Sequence, residues 1–208
     1  PSLEKVSFSN STDALNQFEQ EWDQLQQLWE HLIARGTPDD VALCAALVQG
    51  FQPYLLARVS VQHMIKILEQ TLALLPADSF PQARLSACFL LGSTHQLMTN
   101  YAPMLQQYEQ AMALALAQDA HWYRNEINNK LSHYHYEHAR YDEALHHAQQ
   151  IIHPDSGSAD NQRASAALNI GNVHTNQHNF AQAEHYLRQG LSYFEKTQGI
   201  FLGFFAFY

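Results

Sequence analysis

Thirteen histidines supply the side chains of this sequence best suited to metal ligation and proton transfer. Their spacing does not build a site. His174 and His178 stand four apart, so one helical face would turn both toward a common point, while His133 with His138, and His146 with His147, offer no better pair. A zinc site takes three or four ligands, and no Cys or carboxylate joins these pairs at a suitable spacing. Cys44 and Cys88 fit no CxxC pattern, lie in apolar stretches and read as buried, reduced thiols. Glu126 and Glu137 fall on one predicted helix but about three turns apart, too far for an acid/base pair. No GxSxG, HExxH or GxxxxGK[ST] pattern occurs. The chain is therefore expected to be no enzyme, with no metal and no cofactor.

Composition narrows the partners. The chain is 208 residues long and 46% hydrophobic, enough to bury a sizeable core. Charged residues make up only 15%, against about 25% in an average soluble domain. Gln, Asn and His supply much of the polar surface instead. The formal net charge is −9 and no run of Lys or Arg occurs, which argues against direct contact with nucleic acid or an anionic membrane. No secretory leader is visible, and the apolar stretch Gly199–Tyr208 falls far short of the roughly 20 residues of a membrane helix. The chain reads as a cytoplasmic segment of a longer protein.

The elements that would carry these residues repeat. Ile170-Gly171, His174, Phe180, Ala183, Leu187 and Gly190-Leu191 form a frame with an earlier copy in Leu131-Ser132, His135, Tyr141, Ala144, Ala148 and Ile151-Ile152. A copy before that runs Leu91-Gly92, His95, Tyr101, Met104, Tyr108 and Ala111-Met112. A weaker one begins at Phe51-Gln52 and continues through Leu55, Val61, Met64, Leu68 and Thr71-Leu72. Successive copies are offset by about 40 residues, within the range of periods that marks helical repeat arrays. Each copy reads as two helices with apolar residues three and four apart. A small residue in the first helix (Gly92, Ser132, Gly171) admits a neighbour closely. A turn is centred near Asn100, Arg140 and Asn179, and an aromatic residue (Tyr101, Tyr141, Phe180) opens the second helix and plugs the gap between the pair. Pro53 should kink the first copy's opening helix.

These residues resemble the tetratricopeptide repeat family over roughly 38–198. The resemblance rests on Leu91-Gly92 with Tyr101, Leu131 with Tyr141-x-x-Ala144, and Ile170-Gly171 with Phe180-x-x-Ala183. The family's usual period is about 34 residues. The longer period here, and Met112–Ala117 followed by Gln118-Asp119, are similar to the sensor arrays of bacterial signal-transduction ATPases and related transcriptional activators. Glu21-x-x-Gln24-Leu25, on a helix of about Thr12 to Ala34, is close to a segment that often precedes those arrays. No nucleotide-binding loop is present, so an ATPase module would lie outside this chain.

The resemblance implies an all-α fold, a right-handed superhelix of stacked antiparallel helix pairs. Residues 1–36 would form an N-terminal helix packing on the array, 37–198 four helix pairs, and 199–208 the apolar start of a further, truncated repeat. A break is expected at Arg35–Pro38, and an exposed loop at His153–Asp160. In the family the first helix of each pair lines a concave groove. By phase the groove residues are Phe89, Ser93 and Gln96, then Glu126, Asn129, His133 and Tyr136, then Leu168, Asn172 and Asn176. Asn amides there suit a peptide backbone. Lys130 and Arg163, with Arg124 in the preceding link, do not reproduce the basic clamp some members use for a terminal carboxylate. His95, His135 and His174 fall where the family usually has Tyr, and an imidazole packed in place of that ring is expected. The implied function is a protein- or peptide-binding or sensor module. The alternatives are a scaffold that self-associates through 199–208, or a domain that binds a small-molecule inducer.

Overall fold

The computed structural model describes the backbone of residues 8–58 and 60–196, and the side chains of 21–50 and 60–196. All regular elements among them are helical: α1 Phe8–Arg35, α2 Pro38–Arg58, α3 Val61–Leu74, α4 Pro81–Leu97, α5 Tyr101–Ala117, α6 His121–Glu137, α7 Tyr141–Ile152, α8 Asp160–Asn176 and α9 Phe180–Lys196. A short 3-10 turn, Pro154–Ser156, follows α7. The chain divides into two compact units, Pro1–Leu114 and Ala115–Tyr208, with the boundary inside α5.

The turns inside the pairs are built alike. Thr99, Ala139 and His178 adopt φ of 53°, 55° and 60°, the left-handed conformation that glycine takes without strain. Each closes its helix with a Schellman cap. The Thr99 N–H donates to the Gln96 carbonyl and the Asn100 N–H to the His95 carbonyl, both at 2.9 Å. Ala139 and Arg140 repeat this on Tyr136 and His135, and His178 and Asn179 on Thr175 and His174. The carbonyls of Asn100, Arg140 and Asn179 then accept the first hydrogen bond of the next helix. One residue thus ends one helix and starts another, which explains why the turns fall where the sequence frame centres them. A fourth cap of this kind, with Asp119 at φ 51°, closes α5.

The small position of each first helix sets how closely its pair crosses. A Cβ added at Gly92 would stand 2.5 Å from the Tyr108 ring, and one at Gly171 2.7 Å from Leu187. Ser132 fills the equivalent site in α6, and the residue in register with Tyr108 and Leu187 is Ala148. The Ser132 hydroxyl spends its donor on the Ala144 carbonyl at 2.9 Å, so the polar atom is satisfied inside the crossing. A large partner faces each glycine, and the residue in register with those partners is small where serine replaces glycine.

In the first unit α1 joins the core through Trp29, which is 1% exposed and donates from Nε1 to Thr71 Oγ1 on α3 at 3.0 Å. Cys44, Val48, Met64, Ile67, Leu68, Leu90 and Leu91 close around it. Cys44 and Cys88 are free and buried, and burial raises both thiols to about 11. The break after α1 uses Gly36 at φ 61°. Thr37 then caps α2: its N–H and hydroxyl donate to Asp40 Oδ2, and its Oγ1 accepts from the Asp40 N–H. The Thr37 hydroxyl is the main influence holding the Asp40 carboxyl below the ordinary value, with Arg35 adding to it. Helix α2 is assigned through Pro53 to Arg58.

Three expectations are corrected. Phe180 is 64% exposed and lies edge-on to His178, so it does not plug its pair. The 153–160 connection is exposed only in part, because Ser156 and Ser158 are buried with both hydroxyls on the Ile151 carbonyl at 2.7 Å. Arg124, placed by sequence in a link, belongs to α6. Residues 199–208 lie outside the described residues.

Two substitutions test this account by urea unfolding. Ala139→Gly relieves the left-handed strain and should stabilise the chain by about 1 kcal/mol. Gly92→Ser, copying Ser132 without its small partner, should cost about 2 kcal/mol. No loss from the second change would remove the volume argument.

Candidate functional site

The residues assigned to the groove separate into those the protein has already used and those it still offers. On α4, Phe89 is 3% exposed with its ring 6.3 Å from that of Tyr108. Ser93 Oγ lies 3.3 Å from the Tyr108 hydroxyl, which donates to Gln96 Oε1 at 3.0 Å. Tyr108 therefore engages all three, and Phe89, which helical phase places in the groove, is buried against it. The cause is the crossing at Gly92, which lets a full tyrosine reach under α4.

In the second unit Gln162 ties the start of α8 to α6. Its Oε1 accepts from the Ala159 N–H at 3.2 Å. Its Nε2 donates to the Trp122 carbonyl at 3.0 Å and to Glu126 Oε1 at 2.9 Å. Its own carbonyl accepts from Asn129 Nδ2 at 3.3 Å. Glu126 and Asn129 are thus structural in this arrangement. Burial raises the Glu126 carboxyl, against the opposing pull of the Gln162 bond and the Lys130 charge. Asn129 is 8% exposed, so it too is not presented to a partner. Sequence reasoning missed Gln162, although it sits one residue before the basic Arg163 that drew attention. Arg163 is likewise engaged, on Ser158 Oγ at 2.9 Å and beside Asp160.

The later turns of α6 and α8 remain open. His133 Nε2 lies 3.2 Å from Glu137 Oε1, and its ring stacks on Tyr136 at 6.4 Å. Asn176 Nδ2 donates to the Tyr136 hydroxyl at 3.2 Å, which brings the two helices' predicted residues together. Asn172 and Leu168 are half-buried, and Asn176 is exposed. This face offers an imidazole, a phenol, amides and one aliphatic side chain. It has the donors and acceptors for an extended backbone and no concentrated charge. A separate cleft of about 280 Å³ involves Arg124, Asn128, Gln150, His153 and Asp155. That is below the roughly 300 Å³ where small-molecule sites begin, and Arg124 there is already bonded to the Ser156 carbonyl at 2.8 Å.

The repeated histidines pack as rings. His135 stacks on His147 with centroids 5.3 Å apart and planes 8° from parallel, and His174 stacks on Tyr186 at 5.8 Å and 21°. Nδ1 of His95, His135 and His174 is buried without a hydrogen-bond partner. His147 Nδ1 donates to Asn128 Oδ1 at 3.0 Å. Burial, and secondarily the nearby His135 and His146, lower His147 to about 4, and burial first and Arg140 second lower His135. Among the described residues no group of three or more His, Cys, Asp or Glu could hold a metal ion. None of the described helices is long and apolar enough to cross a membrane.

These pairs, caps and crossings are those of tetratricopeptide-type helix arrays. Residues 163–198, spanning most of α8 and α9, match the tetratricopeptide repeat family. The crystal structure of MamA is similar over 93% of this chain and 98% of that one, at 15% identity and a TM-score of 0.63. A Podosopora anserina protein of nearly identical TPR-like repeats, described as a kinesin light chain, is similar over 90% and 94%, at 18% identity and a TM-score of 0.60. At such identities the likeness shows the fold, all-α and tetratricopeptide-like. No curated protein matches the chain.

The stacked imidazoles make acid stability a test. A folded-state value of about 4 against 6.5 for the free side chain means the fold favours neutral His147. Its contribution is complete above pH 6.5 and is lost as pH falls toward 4, on the order of 2–3 kcal/mol in all. His147→Gln, which can still donate to Asn128, should lose less stability between those pH values than the parent in paired urea titrations. Equal slopes would count against the buried neutral pair.

Proposed function

We propose that this chain is a non-catalytic protein- or peptide-binding module of a larger bacterial signalling or transcription-regulatory protein. The carrying observation is the open α6–α8 face, where Asn176 and Tyr136 are linked across the two helices beside His133 and Asn172. A tetratricopeptide-type fold presents helix faces of this kind to protein partners. The regulatory assignment is supported by the long repeat period, which is similar to that of the sensor arrays of signal-transduction ATPases.

The proposed site is smaller than the set that helical phase selects. Leu168, Asn172, Asn176, His133 and Tyr136 would contact the ligand. Glu126, Asn129, Phe89, Ser93 and Gln96 would hold the helices that present them. A peptide backbone would exchange hydrogen bonds with the two amides while an apolar side chain rests on Leu168. The net charge of −9 favours partners other than nucleic acid.

Capture of partners from a bacterial lysate tests this, with the chain compared against Tyr136→Ala/Asn172→Ala/Asn176→Ala. A partner bound at least roughly tenfold more weakly by the variant, with helicity unchanged, is the expected outcome. Undiminished binding would place the ligand on another surface.

A further inference from the structure

The outward face of α9 carries apolar side chains, two of them at positions that α8 covers on α7. Phe180, Leu187 and Leu191 follow one helical face and are 64%, 38% and 57% exposed. One period earlier their counterparts on α7 are Tyr141, Ala148 and Ile152. There Ala148 and Ile151 are buried with Ala166 and Ile170 of α8, and Ile152 packs against that cluster. Among the described residues, α9 lacks the counterpart of α8.

We propose that this face is a helix-docking surface, and that its occupant is residues 200–208 of the same chain. Register supports the assignment. Helices α6 and α8 begin at His121 and Asp160, and another step of the same length arrives at Gly199. Composition agrees as well: Ile200-Phe201-Leu202-Gly203-Phe204-Phe205-Ala206-Phe207-Tyr208 contains no charged or amide side chain. In phase, Phe205 takes the place of Ala166, whose exposure is 0%, and Ala206 that of Ala167. Burying this segment on α9 removes two apolar surfaces from water at once, the way repeat arrays gain stability from each neighbour. The inference rests on the fold alone and stands or falls independently of what the α6–α8 face binds.

The test is a double-mutant cycle on the full chain. One arm is Phe180→Gln/Leu191→Gln, which spares Leu187 because that side chain also packs against Gly171. The other arm deletes 200–208 and keeps every described helix. In the full chain the two substitutions should lower Tm by roughly 5 °C, while in the shortened chain they should change it little, because the contact is already gone. Light scattering accompanies both and should report the full chain as a monomer. An equal fall in Tm in both backgrounds overturns the proposal, since the residues then do not meet. A full-length dimer that dissociates on deletion also overturns it, by making a second copy the occupant.

Discussion

The approach of the two helices at Gly92, Ser132 and Gly171 is the constraint on which the other features depend. A helix pair can cross at this depth only if one side yields volume. The crossings yield it differently, with Tyr108 and Leu187 against glycine, and with Ala148 in register with them where serine replaces glycine. Because the crossing is fixed, the chain has a fixed distance to travel from the end of one helix to the start of the next. Short turns then suffice, and they take the same capped form each time. The left-handed residue in those turns is Thr, Ala or His rather than Gly, so the packing holds a backbone conformation that the residue types resist.

The histidines are a consequence of that geometry. His95, His135 and His174 lie three positions beyond the crossing, almost one turn, where the second helix still runs close. A ring there meets a ring of the second helix, His147 beside His135 and Tyr186 beside His174. Nδ1 of His95, His135 and His174 is left buried and unpartnered, and burial lowers both His135 and its stacking partner His147. Rings that sequence composition singles out as ligands or bases are thus consumed as packing pieces. The signal for this was the repeat itself, since equivalent positions a whole repeat apart do not converge.

The frame of large, small, aromatic and small residues was legible because each of those types answers to a local steric demand. The turns were legible for the same reason. Which face stays open was not. Helical phase places Phe89, Glu126 and Asn129 in one class with Asn172 and Asn176, but phase is blind to what a neighbouring helix sends across. Tyr108 and Gln162 decide that, and both act over sequence separations that a one-helix pattern does not contain. Phe180 fails in the opposite sense. Its type matches Tyr101 and Tyr141, yet it is 64% exposed, so residue type alone did not fix its burial.

The division of labour between Gln162 and Asn176 bears on how a partner would be held. Gln162 satisfies four groups at the start of α8, so that end of the α6–α8 seam is rigid and has little left to offer. At the other end Asn176 spends only its amide N–H on Tyr136, keeping its oxygen, while the phenol keeps its own proton to donate. A site anchored at one end and unsaturated at the other loses little conformational entropy when it binds, because the helices are already ordered. Neutral amides and a phenol also make contacts that salt screens weakly, unlike a clamp of Lys and Arg. At the proposed site, which pairs low charge content with an amide-rich face, hydrogen-bond geometry rather than charge would select the partner.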